Sequence, residues 1–203
     1  MQRRELIQWM LATGGLAAFN RLSASDLETI GRDVHQRAAQ QLQSLQLRSL
    51  TAHAARTVTA ASEQIIPRSE TPGATDANTT AFIDTMLSDW YAPAERDRFL
   101  VGVSELDVRS RAIAGRDFVD MPAAQQAALL TEFDIAVNSL RRDSGGAVAN
   151  AHWFATLKYL TGWGYCTSEK GMRETLRSWP PPMRYEGCAP VGVRRDASSG
   201  SRR

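Results

Sequence analysis

From Ser25 onward, apolar residues recur at spacings of three and four, and no stretch alternates apolar and polar residues at a period of two. One buried face of a helix needs a period near 3.6, whereas a half-buried strand needs a period of two. The chain is therefore expected to be all-α, an irregular helical bundle.

The first helix is expected to open at Ser25-Asp26-Leu27-Glu28, which has the form of a capping box, and to run to about Leu47. Its apolar positions are Leu27, Ile30, Val34, Ala38, Leu42 and Leu45, and its polar face would lie on a surface or along a partner. Thr51 is the expected cap of a second helix carrying Val58, Ala61, Ile65 and Ile66, which Pro67 ends by pushing its predecessor out of the helical region. Residues 68–78 read as a turn-rich loop. Thr79 or Thr80 starts a helix with Phe82, Ile83, Met86, Leu87 and Trp90 on one face. Pro93 fits the first turn of the next, whose stripe is Phe99, Leu100, Val103 and Leu106, with Gly115 as its stop. After Pro122 the inner face would be Ala127, Leu129, Leu130, Phe133, Val137 and Leu140, ending before Asp143. A last long helix from Ala147 holds Trp153, Phe154, Leu157 and Leu160 and gives way past Gly162 to an aromatic, glycine-rich segment with Ser168 as a cap. Pro180-Pro181-Pro182 then forces extended chain.

Ahead of this body, Met1-Gln2-Arg3-Arg4-Glu5-Leu6-Ile7 is followed by a short, mild, glycine-containing apolar run to Phe19, the order of a twin-arginine export signal. The run is shorter than the roughly 20 apolar residues of a spanning helix. Leu22-Ser23-Ala24 is its best cleavage site and is poorly formed, because leucine stands where a small residue is preferred. The chain divides into a leader at 1–24, a helical domain at 25–193 and a loose, polar tail at 194–203. The expected location is periplasmic, with a retained leader or a cytochrome partner as the two routes to membrane association.

Export gives the two cysteines a meaning. Cys166 and Cys188 most simply close one disulfide pinning the aromatic, Pro/Gly-rich carboxyl-terminal segment, worth about 3 kcal/mol by loop entropy. The alternatives are two free thiols or a bond to a partner chain. With 24 basic and 22 acidic residues the net charge is +2, and the basic residues are interspersed with acidic ones, so no nucleic-acid footprint exists.

Signatures of chemistry are missing. No dinucleotide-binding turn, phosphate loop, Cys-x-x-Cys or haem-attachment motif occurs, so neither a catalytic residue nor a cofactor or metal ligand is assigned to this chain. His35, His53 and His152 fall on separate helices, and His152 near Cys166 is the single sequence-close nucleophile pair. The aromatic residues Trp153, Trp163, Tyr165, Trp179 and Tyr185 are of the types enriched at interface centres, and equally suit a core.

The order of features is informative as a set. It runs from the leader through Ala61-Ser62-Glu63-Gln64-Ile65-Ile66-Pro67, Thr71-Pro72-Gly73-Ala74, Ala81-Phe82-Ile83-Asp84 and Phe154-Ala155-Thr156-Leu157-Lys158 to Gly164-Tyr165-Cys166-Thr167-Ser168-Glu169 and Tyr185-Glu186-Gly187-Cys188. This resembles the gluconate 2-dehydrogenase subunit 3 family, the small subunit of periplasmic flavin dehydrogenases, although a typical member has tyrosine at the position of Cys166. The resemblance implies a non-catalytic subunit that binds a large FAD-containing dehydrogenase of the glucose-methanol-choline type and exports it folded through the twin-arginine translocase. Some such complexes pass electrons to a multihaem cytochrome c. The competing expectations are a free-standing periplasmic enzyme around His152 and Cys166, or a ligand-binding module built on the aromatic cluster.

Overall fold

The computed structural model describes residues 24–43 and 47–176, and among them every regular element is helical. In chain order these are α1 (Ala24–Gln43), α2 (Ala52–Ile65), α3 (Thr79–Asp89), α4 (Pro93–Ala114), a 3-10 turn (Phe118–Asp120), α5 (Ala123–Ser144), the short α6 (Gly146–Asn150), α7 (Trp153–Thr167) and one turn of π-helix (Gly171–Thr175).

Local sequence sets several ends as expected. Thr51 is in extended conformation and its side chain accepts from the Ala54 amide at the start of α2. Pro93 occupies the first turn of α4, Glu95 reaches back to the Ala92 amide at 3.1 Å, and Gly115 ends the helix at a left-handed φ of 67°. Other ends differ. α1 already begins at Ala24, which places Ser25 inside the helix instead of at its cap. The last long helix is two: α6 ends at Asn150, and α7 starts afresh behind His152. α7 then runs straight through Gly162 to Thr167, where the sequence led us to expect a break. Within that stretch Gly164 serves packing across the core, since a Cβ on it would come within 2.8 Å of the Phe82 ring. That glycine is a packing contact and not a turn.

α7 is the hub. It touches each of the other six helices. Trp153, Phe154, Leu157, Leu160, Trp163 and Tyr165 along it are all buried. α3 is the second core element, buried at Thr79 and from Ala81 through Leu87, and so enclosed on nearly every side instead of along one stripe. α1 packs on α3 and α7 through Val34 and Ala38, so its inner face is covered by this chain. Its outer face is laced by Glu28–Arg32 and Asp33–Arg37 pairs. On α5, Leu129, Leu130, Phe133 and Val137 face inward as expected. Ala127, however, is exposed, and its neighbour Gln126 is buried, donating to Phe118 O at 2.7 Å and accepting from Gln64 at 3.0 Å.

Two polar devices fix what joins the helices. Asp84 on α3 is wholly buried and accepts three backbone N–H groups, from Arg48 (2.9 Å), Ser49 (2.9 Å) and Leu50 (2.7 Å). The 68–78 segment is tied down rather than loose. The Glu63 carboxylate accepts from the amides of Arg68 and Thr75 and from the Thr75 hydroxyl, and Asp76 accepts from the Gly73 amide and the Arg68 guanidinium. Burial pushes the Glu63 carboxyl up, but the bonds from Thr75 and Arg68, with the Arg68 charge, outweigh it and leave the pKa below the usual carboxylate value. Tyr165 seals the segment from α7, its hydroxyl donating to Pro72 O at 2.7 Å and meeting Thr175 Oγ1 at 2.6 Å.

Candidate functional site

The structure draws most of the sequence-selected aromatics into the interior. Trp153, Trp163 and Tyr165 are each no more than 8% exposed. Phe133 meets Trp153 edge-on at 5.0 Å, and Phe82 meets Trp163 in the same way at 5.6 Å. These three present little surface to any partner or ligand. Trp179 and Tyr185 lie outside the described residues, as do Arg3, Arg4 and Cys188.

No disulfide is found among the described residues. Cys166 is a free, exposed residue near the end of α7, its thiol pushed above the ordinary pKa by partial burial of the group. Nor do His152 and Cys166 form a pair. They sit at opposite ends of α7, about 20 Å apart at the helical rise per residue. A nucleophile and its base must be within hydrogen-bond reach, so the enzyme expectation built on them loses its geometry.

Each histidine has a structural occupation. His35 Nε2–H donates to Gly164 O at 2.7 Å and its ring lies 4.8 Å from that of Phe82, tying α1 to α7. Burial lowers its pKa, an effect the Gly164 bond only partly reverses. His53 donates to the buried Asp107 at 2.7 Å, and Asp107 also accepts the Phe118 amide at 3.0 Å. His152 caps α7: its Nδ1 accepts from the Phe154 amide at 3.2 Å, which requires that nitrogen to be unprotonated. Its pKa is lowered by burial and by the Arg109 charge, with Glu105 acting in the opposite sense. Among the described residues no group of three or more His, Cys, Asp or Glu side chains is placed to hold a metal ion. None of the described helices is long and apolar enough to cross a membrane.

One concave surface is formed wholly by described residues. An open groove of about 710 Å³ runs between α4 and the α5–α6–α7 junction, and Val101, Leu140, Ala147 and Val148 form its apolar walls. Beneath it α4 and α7 are in close contact at Gly102. A Cβ on Gly102 would fall 2.0 Å from the Trp153 indole, so only glycine lets the ring lie against α4. The apolar character is not covered by this chain: Val101 is 70% exposed and Val148 50%. Val108, 61% exposed, continues the strip two turns along α4. At the rim, Glu105 pairs with Arg109 at 3.0 Å, and the Arg109 guanidinium also lies 4.6 Å from the Phe133 ring centroid. Arg98 lines the groove without a carboxylate or hydrogen-bond partner among the described residues. Nothing in this surface pairs a nucleophile with a base.

A family model described as gluconate 2-dehydrogenase subunit 3 matches residues 52–182. The chain belongs to the gluconate 2-dehydrogenase subunit 3 family. The matched span begins at the first residue of α2 and includes α2 to α7 and the π turn, so it takes in the groove, the Glu63–Asp76 segment and the hub helix, while α1 precedes it. Family membership makes this a subunit of an oxidoreductase complex. No curated protein and no solved structure matches the chain. For a subunit 3 protein the groove is the feature that our sequence reading missed. The stripe Phe99, Leu100, Val103 and Leu106 assigns one face of α4 to the core. Val101 and Val108 therefore fall on the outer face, where two aliphatics at heptad spacing were the available clue.

Proposed function

We propose that this chain is the non-catalytic small subunit of an FAD-dependent sugar or sugar-acid dehydrogenase, and that it binds, stabilises and carries the large flavin subunit through the twin-arginine route. The observation that carries the reading is the family match over residues 52–182, which takes in nearly all of the described body. The Arg3-Arg4 leader supports it from the other end of the chain. A twin-arginine route is suited to a protein that must fold around its cofactor before crossing. In this reading the flavin belongs to the partner, which oxidises a CH–OH group of gluconate, glucose or a glucoside, and a multihaem cytochrome c receives the electrons. The complex works in the periplasm.

Joint replacement of Arg3 by Lys and Arg4 by Lys tests the escort role in the host that makes both subunits. Dehydrogenase activity is expected to stay in the cytoplasmic fraction, still associated with this chain. Undiminished periplasmic activity in the double variant would count against the escort reading.

A further inference from the structure

We infer that the α4/α6 groove is the anchor point for the large subunit, and that it takes an amphipathic segment whose aliphatic face fills the Val101–Val148 trough and whose carboxylate meets Arg98. The inference rests on the small-subunit reading and adds the location and chemistry of the contact.

Two observations converge on this surface. Its walls, Val101, Leu140, Ala147 and Val148, are aliphatic and open, and the exposed strip extends to Val108. Two turns of α4 lie between Val101 and Val108, about 10 Å, which is the length over which a docked helix presents side chains at i, i+3, i+4 and i+7. Aliphatic surface left in water is unfavourable at about 25 cal/mol per Å², which burial against a partner segment would recover.

The rim charges then select the occupant. The single carboxylate lining the groove, Glu105, is already bound by Arg109, and Arg109 is held over Phe133. His152 uses Nδ1 to accept the Phe154 amide and so is neutral in this arrangement. Arg98 is left as an uncompensated cation beside an apolar trough. A second copy docked groove to groove would set Arg98 against Arg98, because the carboxylate lining each groove is already paired. A partner segment with an Asp or Glu flanking its aliphatic residues satisfies both the trough and the cation, and Arg is among the residue types that dominate interface energetics.

The test uses the full chain produced together with its large subunit. A photo-crosslinking phenylalanine analogue is placed at Val101 or Val148, and as a control at Glu70. Glu70 is exposed in the segment sealed by Tyr165 at the far end of α7. Separately, the dissociation constant of the complex is measured for Val101→Asp with Val148→Asp, and for Arg98→Glu. Crosslinks from 101 and 148, but not from 70, should map to one large-subunit peptide with aliphatic residues at helical spacing and an adjacent carboxylate. The double aspartate variant should weaken binding by ~30-fold or more and Arg98→Glu by ~10-fold. Helicity and melting should be unchanged, because the altered side chains are exposed. If the complex forms while the crosslinks arise from Glu70 alone and both variants bind within ~3-fold of the parent, the groove is not the anchor and the small-subunit reading stands. Crosslinking from 101 or 148 to a second copy of this chain overturns the assigned occupant. Failure of the unaltered chain to associate with any flavin subunit overturns the small-subunit reading, and the groove assignment falls with it.

Discussion

Replacement of Asp84 by Ala should be among the most damaging single changes in this protein, although Asp84 does not line the groove. Its Oδ1 accepts from the Ser49 and Leu50 amides at 2.9 and 2.7 Å, and Oδ2 from the Arg48 amide at 2.9 Å, on a residue with no solvent exposure. These bonds span 34 to 36 positions of sequence and hold the strand of chain leading into α2 against α3. Around them, Ser88 donates to Asp84 O at 2.7 Å and meets Ser49 Oγ at 2.6 Å, while Asp89 binds Arg48 at 2.7 Å and Arg37 of α1 at 3.5 Å.

The cost can be worked from these partners. Leu50 is only 4% exposed, so in the alanine variant its N–H loses its acceptor with little access to water, worth about 1–3 kcal/mol. Arg48 is exposed and Ser49 half-buried, so their amides rehydrate at about 1 kcal/mol each. The sum is about 3–5 kcal/mol, the range found when one member of a buried charged network is removed. For a chain of this size that corresponds to a fall of about 6–20 °C in Tm. Asp84→Asn should be milder, about 1–2 kcal/mol, because a carbonyl oxygen in the Oδ1 position keeps Ser49 and Leu50 and sets an NH2 only against the solvent-facing Arg48 amide. Urea unfolding followed by circular dichroism gives the ranking. Hydrogen exchange locates it, since the amides of residues 48–50 should lose protection ahead of the rest. An alanine variant within ~1 kcal/mol of the parent, or asparagine worse than alanine, would refute the assignment of Asp84 as the clamp on this segment.

Two further outcomes are expected. Burial holds the His35 pKa below 6.5 in the folded protein, so the unfolded chain binds the proton more readily; the stability contributed by neutral His35 is complete above about pH 6.5 and is lost as pH falls through the folded pKa. In His35→Gln, the urea midpoint should vary less with pH below about 6.5 than in the parent; an unchanged slope would remove His35 as its source. Cys166 is free in the structure, so Cys166→Ser should leave stability within about 0.5 kcal/mol of the parent under non-reducing conditions, whereas a loss of about 3 kcal/mol in thermal or urea unfolding would restore the pairing with Cys188.

What could be read from the sequence follows from how far the determining partner lies along the chain. Thr51, Pro93 and Gly115 act on backbone within four residues, and each sits at the helix boundary assigned to it. Apolar periodicity also held at Ile30, Val34 and Ala38 of α1, whose Leu27, Leu42 and Leu45 lie outside the described side chains, and over most of α5. It failed where a polar side chain replaces an apolar one inside. Gln126 is buried because Phe118 and Gln64 satisfy its amide, and no periodicity count would place a glutamine inward while leaving Ala127 outside. Asp84 is the stronger case: between Ile83 and Thr85 it reads as a polar interruption, and its purpose resides in residues 48–50. The glycine-rich stretch past Gly162 reads as the end of the helix, and only the Phe82 ring on α3 explains why one of its glycines, Gly164, lies inside α7.

The aromatic residues teach the complementary lesson. Trp and Tyr are enriched both in interface centres and in cores, so composition alone could not separate the two uses of Trp153, Trp163 and Tyr165; burial does. The surface left for recognition is instead built by what those aromatics displace. Trp153 needs Gly102 to lie flat against α4, and with the indole seated there, the outer face of α4 and the short α6 become the two walls of the groove. A bulkier residue at position 102 would move Trp153 and the groove together. Trp153, which the sequence leaves open between interface and core, is thus a core residue packed on Gly102 beneath the groove proposed as the contact site.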